Sequence, residues 1–121
     1  SYGIAWKINN TYNSIRDIKV TATIPDRVEW RNSYTPTKEN ISYNSLSNKL
    51  TWQVKEIPAG TGILSGPRSV FFRLDLTPRE KDYGKKMKLL KDIKLEYKDT
   101  YTEEVETVEK KDLETNTRVT R

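Results

Sequence analysis

Cysteine and histidine are both missing from this 121-residue sequence. Without cysteine there is no disulfide, no thiolate nucleophile and no thiolate metal ligand. Without histidine the usual general base and the commonest metal ligand are gone as well. A cysteine-free domain of this size fits an exported envelope protein held together by its core, and fits the cytoplasm equally, so cysteine usage leaves the compartment open. Long apolar runs are also absent: none approaches the roughly 18 residues that cross a bilayer as a helix, and no basic-plus-hydrophobic leader opens the chain. The sequence starts at Ser1 without a methionine and enters a strand-like pattern almost at once, so it reads as a processed or excised piece of something longer. Nucleophile-elbow, phosphate-loop, dinucleotide-glycine and zinc spacings are missing too, and no enzyme and no cofactor are expected. Carboxylate chemistry, with two acids meeting from distant strands, is the one catalytic route that sequence leaves open.

Apolar residues make up only 34% of the chain, and the mean hydropathy is −0.85. Scattered, so few would suggest disorder; spaced at every second position, they describe strands with one buried and one wet face. Ile4, Trp6 and Ile8 alternate first, before a polar turn from Asn9 to Ser14. Ile18, Val20, Ala22 and Ile24 share one face until Pro25, which cannot donate to a ladder. Val28 and Trp30 make a short third strand, Ile41 and Tyr43 a fourth, and Leu50, Trp52 and Val54 a fifth beyond the polar link Asn44 to Asn48. Val70, Phe72, Leu74 and Leu76 form the clearest strand. Residues 79 to 91 read as a loop, after which Ile93, Leu95 and Tyr97 alternate again and Val105 to Val108 lead to a last strand. The expectation is an all-β, immunoglobulin-like β-sandwich of about seven to nine antiparallel strands in two sheets. It fills residues 1–121 as a single domain, with 110–121 a terminal linker or edge strand. Trp6, Trp30 and Trp52 are expected as core anchors between sheets about 10 Å apart. Tyr12, Tyr34, Tyr83 and Tyr101 fall in or near turns, where a ring contacts a ligand or caps an end of the sandwich.

Several segments, in order, resemble a tandem-repeat family of large bacterial and archaeal envelope proteins. These are Trp6-Lys7-Ile8-Asn9-Asn10-Thr11, Ile18 to Ile24-Pro25, Val28-Glu29-Trp30, and Ile41-Ser42-Tyr43-Asn44 leading to Leu50-Thr51-Trp52-Gln53-Val54. Ile57-Pro58-Ala59-Gly60-Thr61-Gly62, Arg68 to Leu76-Thr77-Pro78, Ile93-Lys94-Leu95 and Asp99-Thr100-Tyr101-Thr102 complete the match, which spans roughly residues 4 to 102. The resemblance implies an immunoglobulin-like sandwich at the cell surface or in the envelope, acting as a non-catalytic repeat or spacer whose partners are neighbouring domains or copies. That family has no single assigned activity, so no functional residue is carried over.

The net charge of +5 is uneven along the chain. From Arg79 to Lys98 there are eight basic and four acidic residues. Lys85, Lys86, Lys88 and Lys91 are therefore the candidate contacts for an anionic polymer such as an envelope polysaccharide. The plainer reading is a solubilising face that protects a sheet edge. Nucleic acid is not the expected partner, because lysine dominates without interleaved arginine and aromatic residues. Asp99, Glu103, Glu104, Glu106 and Glu109 offer hard oxygen ligands, but the regular calcium-loop pattern and its glycine are missing, and no metal is expected. Charge pairing across strands accounts for the acids more simply. An internal lysine cross-link to asparagine or aspartate has no support in the sequence, and Lys7 with Asn116 is the only pair worth checking for one.

Overall fold

The computed structural model describes residues 2–10, 13–62 and 66–115. Among these the chain forms nine strands and a single 3₁₀ turn. The strands are β1 (Tyr2–Ile8), β2 (Ile15–Thr23), β3 (Val28–Thr35), β4 (Asn40–Asn44), β5 (Lys49–Ile57), β6 (Arg68–Leu76), β7 (Lys88–Asp99), β8 (Val105–Lys110) and β9 (Leu113–Glu114). They build two antiparallel sheets, a small one of order β1-β6-β3 and a large one of order β4-β5-β2-β7-β8, with β9 continuing along β7. This is an all-β sandwich, as the alternating pattern predicts. Its core is a layer of inward side chains from both sheets, in which Leu50, Trp52, Val70, Leu74 and Leu90 are wholly buried.

The structure corrects the sequence reading at particular points. Residues 79 to 91 are not a loop throughout: Glu80–Asp82 is a 3₁₀ turn, and β7 begins at Lys88, with Leu89 and Leu90 both buried. Two adjacent buried residues defeat a period-two reading, and they arise where the ladder slips between Lys88 and Leu90. Asp92, at φ 54°, adds a second irregularity opposite Thr21 to Thr23. Asp17, at φ 52°, does the same in β2, so that Ile15 and Ile18 are both buried although three positions apart. Bulges of this kind put an extra residue into one strand, and a left-handed backbone is how they do it. The third strand runs on to Thr35 through a bulge at Asn32, φ 55°, and carries Tyr34 inside the strand rather than in a turn. Of the three tryptophans only Trp52 is fully buried; Trp6 and Trp30 are half-buried against the core. The 110–121 segment contributes β9 as an edge strand as far as the described residues go, and Asn116 and Tyr12 lie outside them.

Trp52 has a partner that no pattern in the sequence announces. Its indole N–H donates to Glu39 Oε1 at 2.9 Å, and the Arg68 guanidinium lies 3.0 Å from Glu39 Oε2. Glu39 precedes β4, Trp52 is on β5 of the large sheet and Arg68 opens β6 of the small one. A buried carboxylate is tolerable only when its charge is paired and its lone pairs are used. The two bonds therefore tie the sheets together at the point where Trp6 stacks on Trp52, ring centres 6.3 Å apart.

The sandwich has two poles. One carries Ile8, Asn10, Ile15, Ile57 and Asp99, where Asn10 N–H donates to Thr61 O at 2.8 Å and Gly60 N–H to Asn10 O at 2.7 Å. This brings together the Asn-Asn and Pro-Ala-Gly-Thr-Gly segments singled out in the sequence, and Gly62, at φ 95°, leaves no room for a Cβ beside the Asn9 amide. The opposite pole carries Ile24, Arg27, Asn48, Leu76 and the 3₁₀ turn, with Arg27 Nε 2.8 Å from Asp82 Oδ2. Tyr2 and Thr115 both lie at this second pole, lining one surface hollow with Leu89.

Trp52→Ala is expected to lower unfolding free energy by about 3–5 kcal/mol, a large part of a small domain's total. Trp52→Phe fills most of the space but removes the indole donor, leaving Arg68 as the remaining partner of Glu39, and should cost about 1–3 kcal/mol. Urea midpoints of both variants against the parent chain check this; a midpoint unchanged in both would mean the tryptophan is not the anchor.

Candidate functional site

The four candidate lysines do not form one patch of free charge. Lys85 and Lys86 are exposed in the link between the 3₁₀ turn and β7, and neither has an ion-pair partner among the described residues. Lys88 and Lys91 are strand residues. Lys88 Nζ sits 2.8 Å from Asp112 Oδ2, and that bond raises the lysine above its ordinary value. Asp112 is held below the usual carboxylate value by Lys88 first and by the N–H of Asp92, with a smaller contribution from the charge of Lys91. Asp112, which lies beyond β8 in the chain, thus pairs with Lys88 alone of the four candidate lysines, which a count along the chain could not register.

The acidic run is also occupied locally. Asp99 closes the β7–β8 connection by accepting from the N–H groups of Tyr101 at 2.7 Å and Thr102 at 3.1 Å, with the Asn13 side chain at 3.4 Å. The backbone donors hold its carboxyl below the ordinary 3.8, against some desolvation. Thr100 adds hydrogen bonds from its N–H and hydroxyl to Ser14 O, so the hairpin is pinned to the start of β2. Glu109 lies 4.0 Å from Lys94, its partner across the β7–β8 ladder, the cross-strand pairing that the sequence suggests, while Glu103 in the connection before β8 lies 3.7 Å from Arg16 of β2. Among the described residues no three acids converge as a metal site would require.

Aromatic residues close one long seam of the sandwich and leave the other open. Between β3 and β4, Trp30 stacks on Tyr34 at 6.3 Å and meets Tyr43 at 6.4 Å. On the opposite side, between β1 and the β8–β9 edge, an apolar hollow of about 300 Å³ is lined by Ile4, Trp6, Leu95 and Leu113, with Lys7, Lys110 and Lys111 at its margin. Tyr83 is half-buried beside the 3₁₀ turn, whereas Tyr101 is 83% exposed at the tip of the β7–β8 hairpin. Of Tyr34, Tyr83 and Tyr101, the described ones among the tyrosines expected near turns, Tyr101 is the ring exposed to solvent. Glu39, the one buried acid of the core, is fully engaged by Trp52 and Arg68, so it serves as a tie rather than as a free base.

These features define an all-β sandwich with a pinned hairpin at one pole and a part-neutralised lysine stretch at the other. No family model matches the chain, and no curated protein matches it. Among solved structures it is similar to the crystal structure of three N-terminal domains of the type V pili tip protein Mfa5 from Porphyromonas gingivalis. The TM-score is 0.60 at 15% identity, over 86% of this chain and 22% of that one. The likeness is one of fold, and the chain spans little more than a fifth of the length of the structure it matches.

The carboxylates of Asp82, Asp99 and Asp112 are all held below their ordinary value of 3.8 in the folded chain. Their contribution to stability is present above that value and lost as the pH falls through the lower folded values. The urea midpoint should therefore be flat near neutrality and decline below about pH 4. Asp99→Asn should lower it at neutral pH and flatten the acid limb, as read from midpoints measured across that range.

Proposed function

We propose that this chain is a non-catalytic structural domain of an exported cell-surface or filament protein, one immunoglobulin-like unit whose contacts are with neighbouring domains or copies. The observation that carries the reading is the fold likeness to the N-terminal domains of a pili tip protein. Strand order supports the immunoglobulin-like part. β2, β5 and β4 lie together in the large sheet and β3 beside β6 in the small one, the arrangement of strands B, E, D and C, F in that fold. The two remaining positions are exchanged: β1 lies beside β6, where a last strand normally sits, and β7 beside β2, where the first does. Such a domain needs only a stable core and presentable surfaces, which suits a chain without cysteine or histidine. Surface placement is tested by protease shaving and antibody labelling of intact source cells. The domain should be reached without lysis, and its recovery only from the soluble interior would overturn the reading.

An adhesive module for anionic polymer is the second reading, favoured by the unpaired and exposed Lys85 and Lys86. Binding through diffuse lysine charge falls steeply with salt, because it is driven by counterion release. Heparin, DNA and a purified envelope polysaccharide should each bind weakly and be lost by physiological salt, with Lys85→Glu and Lys86→Glu removing the remainder. Tight binding to one of the three that survives that salt would replace the structural reading with dedicated recognition.

A further inference from the structure

Among the described residues β8 is one edge of the large sheet and β4 the other. Its ladder with β7 runs from Val105 to Lys110 without a register shift, and the strand contains no proline and no left-handed residue. Paired residues of adjacent strands project to the same face. Glu106, Val108 and Lys110, opposite Tyr97, Leu95 and Ile93, therefore point to the face that covers the small sheet. Val105, Thr107 and Glu109 point outward. Neither Glu106 nor Lys110 has an ion-pair partner among the described residues.

The order Glu106, Val108, Lys110 is self-complementary. Reversed and laid antiparallel on itself about Val108, it sets Glu106 opposite Lys110 of a second copy, Lys110 opposite its Glu106, and Val108 opposite Val108. Thr107 and Glu109 face each other on the outer side. Moving the centre to Glu109 sets that acid against its own copy. A shift by a single position inverts one sheet, carrying the second small sheet to the wrong face. The other edges lack such a code: β3 is bulged at Asn32, β4 has five residues, and β1 carries only Lys7 as a charge.

We propose that β8 is an interaction surface for a second copy of this chain, the two strands pairing antiparallel about Val108 to join the large sheets of both copies. Charged edges ordinarily discourage strand addition. Here the same charges favour a copy paired about Val108, the register that sets both Glu106–Lys110 pairs directly across the ladder, since opposite charges there attract and like charges repel. This surface is independent of where the protein resides.

Sedimentation equilibrium over a concentration series, with a parallel run at high salt, tests the proposal. The parent chain should self-associate reversibly, and less strongly at high salt. Glu106→Lys or Lys110→Glu alone replaces two attractive cross-pairs with two repulsive ones and should weaken association roughly tenfold or more. The double variant E106K/K110E should restore it, and an equimolar mixture of the two single variants should associate although neither does so alone. Both positions are exposed, so circular dichroism and thermal midpoints should match the parent. A parent chain monomeric throughout, single variants that associate as strongly as the parent, or a double variant that stays monomeric would each overturn the proposal.

Discussion

A tryptophan can be taken wholly out of water only where something accepts its indole N–H, and in this domain that requirement organises the junction of the two sheets. Glu39 supplies the acceptor and is buried in doing so; its charge then needs a counterion, which Arg68 brings from the small sheet. The three residues come from the segment before β4, from β5 and from the start of β6, so the Arg68–Glu39 pair links the small sheet to the large one beside Trp52. Packing follows from it. Trp6 stacks on Trp52 and lies edge-to-face with Phe72, ring centres 5.0 Å apart, so the rings join β1 and β6 of the small sheet to β5 of the large one. Of the half-buried tryptophans, Trp6 packs on the fully buried one, and Trp30 packs on Tyr34, Tyr43 and Phe72.

Most of the fold is legible in the spacing of apolar residues. Where the chain is regular, as in Val70 to Leu76 or Leu50 to Val54, alternation alone names the buried face. It fails at Asp17 and Asp92, where a left-handed residue resets the phase and Ile15 or Leu90 turns inward out of step. A short polar residue that tolerates that backbone is a weak signal, since Asp occurs widely in turns and exposed strand positions. The candidate site was less legible for a different reason. Whether a lysine is free depends on Asp112, brought beside Lys88 by the path of the chain around β8. The acids from Asp99 onward include a turn cap, a loop-to-strand pair and one cross-strand pair, a division set by the hairpin and not by composition. Glu39 carries no sequence mark at all, because its role is fixed by two residues 13 and 29 positions away.

The exchange of the first and last strand positions has a consequence for how load would pass through the domain. With β1 beside β6 and β7 beside β2, Tyr2 and Thr115 emerge at one pole and line the same hollow. Tension applied through both would not run lengthwise along the strands, where many hydrogen bonds resist shear together. It would draw β1 and β9 apart from the same end, opening their ladders one bond at a time like a zipper.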